Sequence, residues 1–216
     1  MPRERDEVVE SPQAMHRLTY GLCVCTVSED GRQNGCIINT ANQVASAPNL
    51  VSVSINKANL TCEMLKRTGR CNVSVLGEDA PFELFQRFGF QSGRDVDKFS
   101  GFDGYEVAAN GIACVTHGTN AYLSLRVRQE LDLGSHTLFV CEPEFMAVLA
   151  DVPSATYAFY QEHIKPKPER VGTTPEGKTV WRCVVCGFEW VGEELPDDYV
   201  CPVCRHPKAD FEKIVV

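Results

Sequence analysis

No apolar run in this chain approaches a membrane span. The longest, at residues 50–55 and 145–150, fall far short of the roughly 20 residues that a bilayer-crossing helix needs. The first twelve residues, MPRERDEVVESP, lack the apolar stretch of a secretory signal. Positive charge is also scarce. Lys and Arg number 21 against 29 Asp and Glu, a net charge of −8, which is the wrong sign for binding nucleic acid or an anionic membrane. None of the 16 glycines lies two residues from another, so there is no G-x-G, and a Rossmann dinucleotide site is excluded. A cytoplasmic chain is expected. Its 216 residues, 44% of them apolar, suffice for one large domain, or a medium one with an appendage.

Cysteine is the residue in excess. There are 11, an odd number that forbids complete internal pairing, and without an export signal free thiols plus a metal site are expected. Cys23, Cys25, Cys36, Cys62, Cys71, Cys114 and Cys141 are scattered over the first two thirds of the chain. Cys23 and Cys25, two apart on an expected strand, share a face and read as small core or interface residues. Cys183, Cys186, Cys201 and Cys204 form two CxxC pairs near the end. His16, His117, His163 and His206 are dispersed and suggest neither a metal site nor a nucleophile–base pair.

Composition divides the chain. Residues 165–178, KPKPERVGTTPEGK, are rich in proline and glycine and read as a semi-rigid linker between a module at 1–164 and a tail at 179–216. In the first module, two β-rich runs flank Asp30-Gly31, a hairpin turn signal. LVSVSI alternates at period 2. Residues 60–68 read as a helix with Asn59 at its N-cap and Gly69 as its stop, and PFELFQRF as a short helix with Pro81 leading. RCNVSVL and the segment around Gly134 supply further strands, and SATYAFYQEHI a closing helix. Asn39 to Val44 reads as a polar loop. Many short strands without regular strand–helix alternation point to a mainly β fold, an antiparallel barrel with a few helices.

The tail is too short to bury much core unaided and needs a staple. Two CxxC turns, each presenting two sulfurs, complete a tetrahedral site at Cys183, Cys186, Cys201 and Cys204. Such a four-sulfur site takes zinc or iron. Acidic residues outnumber basic ones in the tail, unlike a nucleic-acid-binding zinc ribbon, and Trp181, Phe188, Trp190, Tyr199 and Phe211 offer a small apolar core. CVVCG, DDYVCPVC and PKADFE resemble rubredoxin, the one-iron electron carrier, which implies one Fe held by the four cysteines. Two departures stand out: a shortened stretch between the pairs, and Arg205 where rubredoxin usually has glycine, Gly187 keeping the first of that pair.

In the first module, residues 54–61, SINKANLT, run from a strand into a helix N-terminus. Such a place suits a phosphate, although the segment alone reads more plainly as an N-cap with a solvated lysine. The ordered set MHRLTYGLCVCTV, NTANQVAS, PNLVSVSINKANLT, FGFQSGRDVDKF, GSHTLFVCEP and TYAFYQEHIK resembles the flavin reductase family, with its FMN-binding split β-barrel of Greek-key type. The resemblance implies Asn39, Thr40, Ala41, Asn42 and Gln43 beside the flavin ring. It implies Ser54, Asn56, Lys57, Asn59 and Thr61 along the ribityl chain and phosphate. Ser92, Arg94 and Lys98 follow as further phosphate or partner-chain contacts. His136 matches the histidine of the family's Gly-Asp-His element near the nicotinamide, with Ser135 in place of the aspartate. Tyr157 and Tyr160 read as barrel packing that could also cover the flavin.

The joined resemblances imply an oxidoreductase, cytoplasmic and homodimeric, that moves electrons from NADH or NADPH through FMN to iron and on to a protein such as a flavodiiron protein. No protein acid or base is required in the hydride step, and no catalytic side chain is nominated. Two other readings stay open. One is an NAD(P)H-dependent free-flavin reductase with a structural, zinc-ribbon-like tail; the other is a zinc-ribbon interaction protein whose barrel stores FMN.

Overall fold

The computed structural model describes residues 17–166, 179–184, 186–204 and 206–215. Most of the expected linker, residues 167–178, lies outside the described residues, as do His16 and Arg205. β1 (Cys23–Glu29) and β2 (Arg32–Ile38) form the hairpin that the turn signal predicts. Both turn residues take positive φ, Asp30 at 50° and Gly31 at 81°, as a two-residue hairpin turn twisted with its strands requires.

β3 (Ala41–Ser46) and β4 (Asn49–Asn56) lead into α1 (Leu60–Thr68), which ends on Gly69 in the left-handed conformation. β5 (Arg70–Leu76), α2 (Phe82–Gly89), the short pair β6 (Tyr105–Val107) and β7 (Ala113–Val115), and the long hairpin β8 (Thr119–Asp132) and β9 (His136–Val148) complete the β portion. Seven strands form one antiparallel sheet in the order β2-β1-β5-β8-β9-β4-β3. The edges are β2 and β3, and only Asn39 and Thr40 separate them in the chain. α1 packs on β1, β2 and β4, from both halves of the sheet, and so plugs the split.

Parity along the strands sorts side chains between two cores. Cys25, Val27, Val53, Val73, Leu125 and Phe139 meet Met64 and Leu65 of α1 inside the barrel. Val24 and Leu76 point the other way, under α2 and the closing helix, against Phe85, Phe88 and Tyr160. β1 is therefore covered on both faces, which explains its nearly continuous apolar character. Cys23 and Cys25 are buried core residues as expected, and burial pushes the Cys23 thiol up to about 12.

Two elements differ from the sequence reading. Asn39–Val44 reads as a loop, but residues from Ala41 onward form an edge strand. An edge strand open to solvent needs no apolar alternation, and Asn42, Gln43 and Val44 are exposed. The closing helix is α-helical only over α3 (Tyr157–Phe159), capped by Thr156 Oγ1 accepting from the Phe159 N–H at 3.1 Å, and then widens into a π-helical turn over Tyr160–Ile164.

The tail holds a three-stranded sheet in the order β11-β10-β12: β10 (Thr179–Cys183), β11 (Glu189–Val191) and β12 (Phe211–Val215). Among the described residues no helix is long and apolar enough to cross a membrane. The barrel core rests on Phe139, which is fully buried. Phe139→Ala is expected to destabilise the barrel by about 3–5 kcal/mol, read as a lowered denaturant midpoint by far-ultraviolet circular dichroism.

Candidate functional site

The four tail cysteines are all buried: Cys183 is 0% exposed, Cys186 8%, Cys201 0% and Cys204 1%. Their sulfurs lie within 4.8 Å of one another, with Cys183–Cys204 and Cys186–Cys201 contacts of 3.5 Å. Each CxxC is a tight knuckle. In the first, the Gly187 N–H donates to the Cys183 carbonyl and the Cys183 N–H to that of Phe188, both at 2.8 Å, and Gly187 takes φ +76°. The Phe188 N–H also reaches the Cys186 sulfur. In the second, the His206 N–H reaches the Cys204 sulfur, while the Cys201 N–H donates to the His206 carbonyl at 2.8 Å. Two of these bonds, to the sulfur and to the carbonyl two residues beyond the knuckle's last cysteine, recur in both knuckles among the described residues.

Burial raises the Cys186 thiol to about 12 and pushes Cys204 up as well. Without a cation these thiols stay protonated; a bound metal reverses that balance and takes them as thiolates. Four sulfurs with peptide N–H groups aimed at two of them fit a tetrahedral iron or zinc ion. Phe188 and Phe211 are buried beneath, and Tyr199 stands 5.6 Å from the Phe211 ring and 6.1 Å from that of Trp190.

The second site lies where α1 starts. A cavity of about 210 Å³ is lined by residues 58–61 at the head of α1, by Asn34 and Cys36 of β2, by residues 89–93 after α2, and by Lys98. Asn59 occupies the N-cap position but does not cap; its side chain and that of Thr61 hydrogen-bond the Cys36 thiol. Of the first-turn amides, that of Cys62 donates to the Asn59 carbonyl at 3.0 Å, and those of Leu60 and Thr61 are left for another acceptor, the arrangement that suits an anion. Thr61 Oγ1 accepts from Asn34 Nδ2 at 3.0 Å, and its one proton points to the Cys36 sulfur, so it turns to a bound anion only at that bond's expense. Lys98 is only 4% exposed; its Nζ donates to the carbonyls of Gly35 at 2.9 Å and Phe88 at 3.2 Å. An ammonium has three protons, so one remains for the cavity. Burial lowers the Lys98 pKa, a penalty that a bound phosphate offsets.

Of the expected flavin residues, Asn59, Thr61, Ser92 and Lys98 line this cavity; Asn39 to Gln43, Ser54, Asn56, Lys57, Arg94 and His136 do not. Thr40 Oγ1 donates to the Ser54 carbonyl at 2.5 Å, tying the turn before β3 to β4, on which Ala41, Asn42 and Gln43 lie beside Val53, Ser52 and Val51. Gln43 donates to Asn49 at 2.8 Å, and the Asn56 side chain accepts from the Ala58 N–H at 2.9 Å. His136 pairs with Asn56 across β4 and β9, and its Nδ1 is 2.9 Å from Ser135 Oγ. Lys57 does not line the cavity; it pairs with Asp132 at 2.5 Å. Arg94 is likewise turned to Glu63 of α1, while Ser92 lines the cavity and accepts from the Arg94 N–H. Asn34 and Cys36 escape a motif-based reading. Their signal is parity, since a polar Asn34, 3% exposed, shares the inward register of Cys36 and Ile38. Tyr160 is buried against Phe85, ring centroids 4.4 Å apart, as packing predicts, whereas Tyr157 is exposed.

Residues 15–167 match the flavin reductase like domain, and residues 181–212 the rubrerythrin, rubredoxin-like domain. The chain is 33% identical to "High molecular weight rubredoxin" of Moorella thermoacetica, over 94% of this chain and 99% of that protein. It is 37% identical to "Ferric-chelate reductase (NAD(P)H)" of Archaeoglobus fulgidus, over 78% of this chain and 96% of that one. Among solved structures it shares its fold with an FMN-binding protein from Thermus thermophilus, with a TM-score of 0.58 at 24% identity, over 78% of this chain and 88% of that one. The chain belongs to the flavin reductase like domain family and carries a rubredoxin-like domain behind it.

Proposed function

We propose that this chain takes an electron pair from NADH or NADPH and delivers it one electron at a time, by way of bound FMN and a four-cysteine iron site, to a partner protein. The observation that carries this reading is the presence, in one chain, of an anion-suited cavity in a flavin reductase barrel and a buried four-sulfur cluster. When bound, FMN supplies hydride acceptance and one-electron release, and iron a one-electron relay. The overall balance is one reduced nicotinamide oxidised per pair of irons reduced, with one proton released.

The chain's own residues bind and place. The head of α1, Thr61, Asn59, Ser92 and the buried Lys98 hold the phosphate. Ser54 and Asn56 line the ribityl chain, with Lys57 above them, clasped by Asp132. Asn39 to Gln43, along the edge strand and the turn before it, offer amide groups to the flavin ring. His136, steadied by Ser135, stands at the end of β9 for the nicotinamide, and Arg94 fastens the loop bearing Ser92 to α1. In this reading residues 1–164 form the FMN-binding unit, 165–178 the linker and 179–216 the iron unit. The acceptor class is a soluble electron-consuming protein such as a flavodiiron protein, and the compartment is cytoplasmic. The flavin unit pairs as a homodimer, a reading supported by the exposed apolar side chains Phe145, Met146 and Val148 on β9.

The test is an absorption spectrum with metal analysis on purified protein, followed by anaerobic NADH. Bleaching of both flavin and iron bands supports the relay; zinc in protein grown with ample iron would replace it with a flavin reductase bearing a structural tail. Cys183→Ser and Cys204→Ser are expected to remove iron reduction while sparing flavin reduction, followed by stopped-flow absorbance. Thr61→Val should weaken FMN retention by up to about tenfold, the scale of one hydrogen bond, measured by flavin fluorescence titration. Lys57→Met should weaken it less, because Asp132 already holds that ammonium.

A further inference from the structure

The tail is seated on the barrel at one place, between the iron site and the flavin cavity. Lys165 Nζ donates to the carbonyl of Cys186 at 3.0 Å, and Gln86 Nε2 to the carbonyl of Val203 at 2.5 Å. One bond thus goes to each knuckle, and neither donor belongs to the tail. Phe82 and Phe90, 6.1 Å apart, pack against the barrel's outer core and against the core of the tail. Cys186, the most exposed of the four cysteines, lines a cleft of about 270 Å³ shared with Leu22, Phe85, Tyr160 and Lys165. Gly89 and Phe90 line this cleft and the flavin cavity alike. They form the wall between the two.

Building on the proposed relay, we infer that Lys165 and Gln86 are positioning residues that clamp the two cysteine knuckles on the barrel, with Cys186 toward Phe90, so that electrons cross from flavin to iron within a single chain. Each crossing moves one electron, oxidising the flavin and reducing the iron, and over the two crossings the flavin also gives up the one proton of the overall balance. Lys165 has a second effect. Reduction adds negative charge to the four-sulfur site, and a cation held 3.0 Å from the Cys186 carbonyl favours the reduced form.

The experiment uses the full-length, iron-loaded protein under anaerobic conditions. A chemical redox titration of the iron band, without nicotinamide, reads the potential; stopped-flow mixing with NADH reads flavin and iron bleaching separately. Lys165→Met is expected to lower the iron potential and to slow iron bleaching by at least about tenfold, the usual cost of losing alignment, with flavin bleaching unchanged. Lys165→Arg should restore both readings. Gln86→Ala, which removes no charge, should slow iron bleaching without lowering the potential as Lys165→Met does. The wild-type rate of iron bleaching should be independent of protein concentration. An iron bleaching rate proportional to protein concentration overturns the inference. So do Lys165→Met and Gln86→Ala proteins that match wild type in potential and rate. Failure of the wild-type iron band to bleach with NADH overturns the relay itself; the titration of Lys165→Met then still decides whether the clamp acts on the iron site.

Discussion

The molecule depends on a sheet that does not close. β2 and β3 are opposite edges of seven strands, yet the chain passes from one to the other through Asn39 and Thr40 alone. That short passage forces the edges to approach, and the remaining gap is filled by α1 lying on β1, β2 and β4. A helix used as a plug starts at the seam, so its N-terminal donors open there. Backbone contacts hold the other side of the seam. Lys98 bonds the Gly35 carbonyl, and a Cβ added at Gly93 would press on the Asn34 side chain, which would have to shift. The candidate flavin cavity is thus a consequence of how the barrel is stapled shut.

This explains which parts could be read from the chain. Helix α1 is legible to the residue because its two ends carry local signals, Asn59 and Gly69, and the cysteine knuckles because ligand spacing is local too. The hairpin at Asp30-Gly31 is legible for the same reason. β3 is not, since an edge strand open to solvent carries no periodicity that separates it from a loop. Asn34 and Cys36 are invisible as site residues because their role comes from α1 lying across β2, a contact between segments far apart in sequence. Lys57 shows a related limit: the segment alone reads as a solvated lysine before a helix, whereas the β8–β9 hairpin brings Asp132 to it, and local reading sees only one partner of that ion pair.

The tail obeys a different constraint. Its buried thiols cost more than a small apolar core returns until a cation takes their protons, so metal and fold are one equilibrium there. A unit of that kind has little core to spare for holding a fixed orientation. The barrel supplies it: Gln86 and Lys165 come from α2 and the end of the closing π-helical turn, and each donates to a carbonyl of one knuckle. The orientation of the metal site is therefore written in the flavin module and not in the rubredoxin-like sequence. A free-standing copy of the tail would keep its cluster and lose its aim.

That division bears on how such a fusion works. Tethering alone raises the local concentration of one site near another, but a flexible tether samples many orientations, most of them unproductive. Two directed hydrogen bonds and a pair of phenylalanines shared between cores select one. Because Phe90 belongs to the wall of the flavin cavity and to the packing of the tail, a ligand that orders the loop after α2 also orders the surface on which the tail rests. The wall of the candidate cavity and the seat of the tail thus meet in the same few residues.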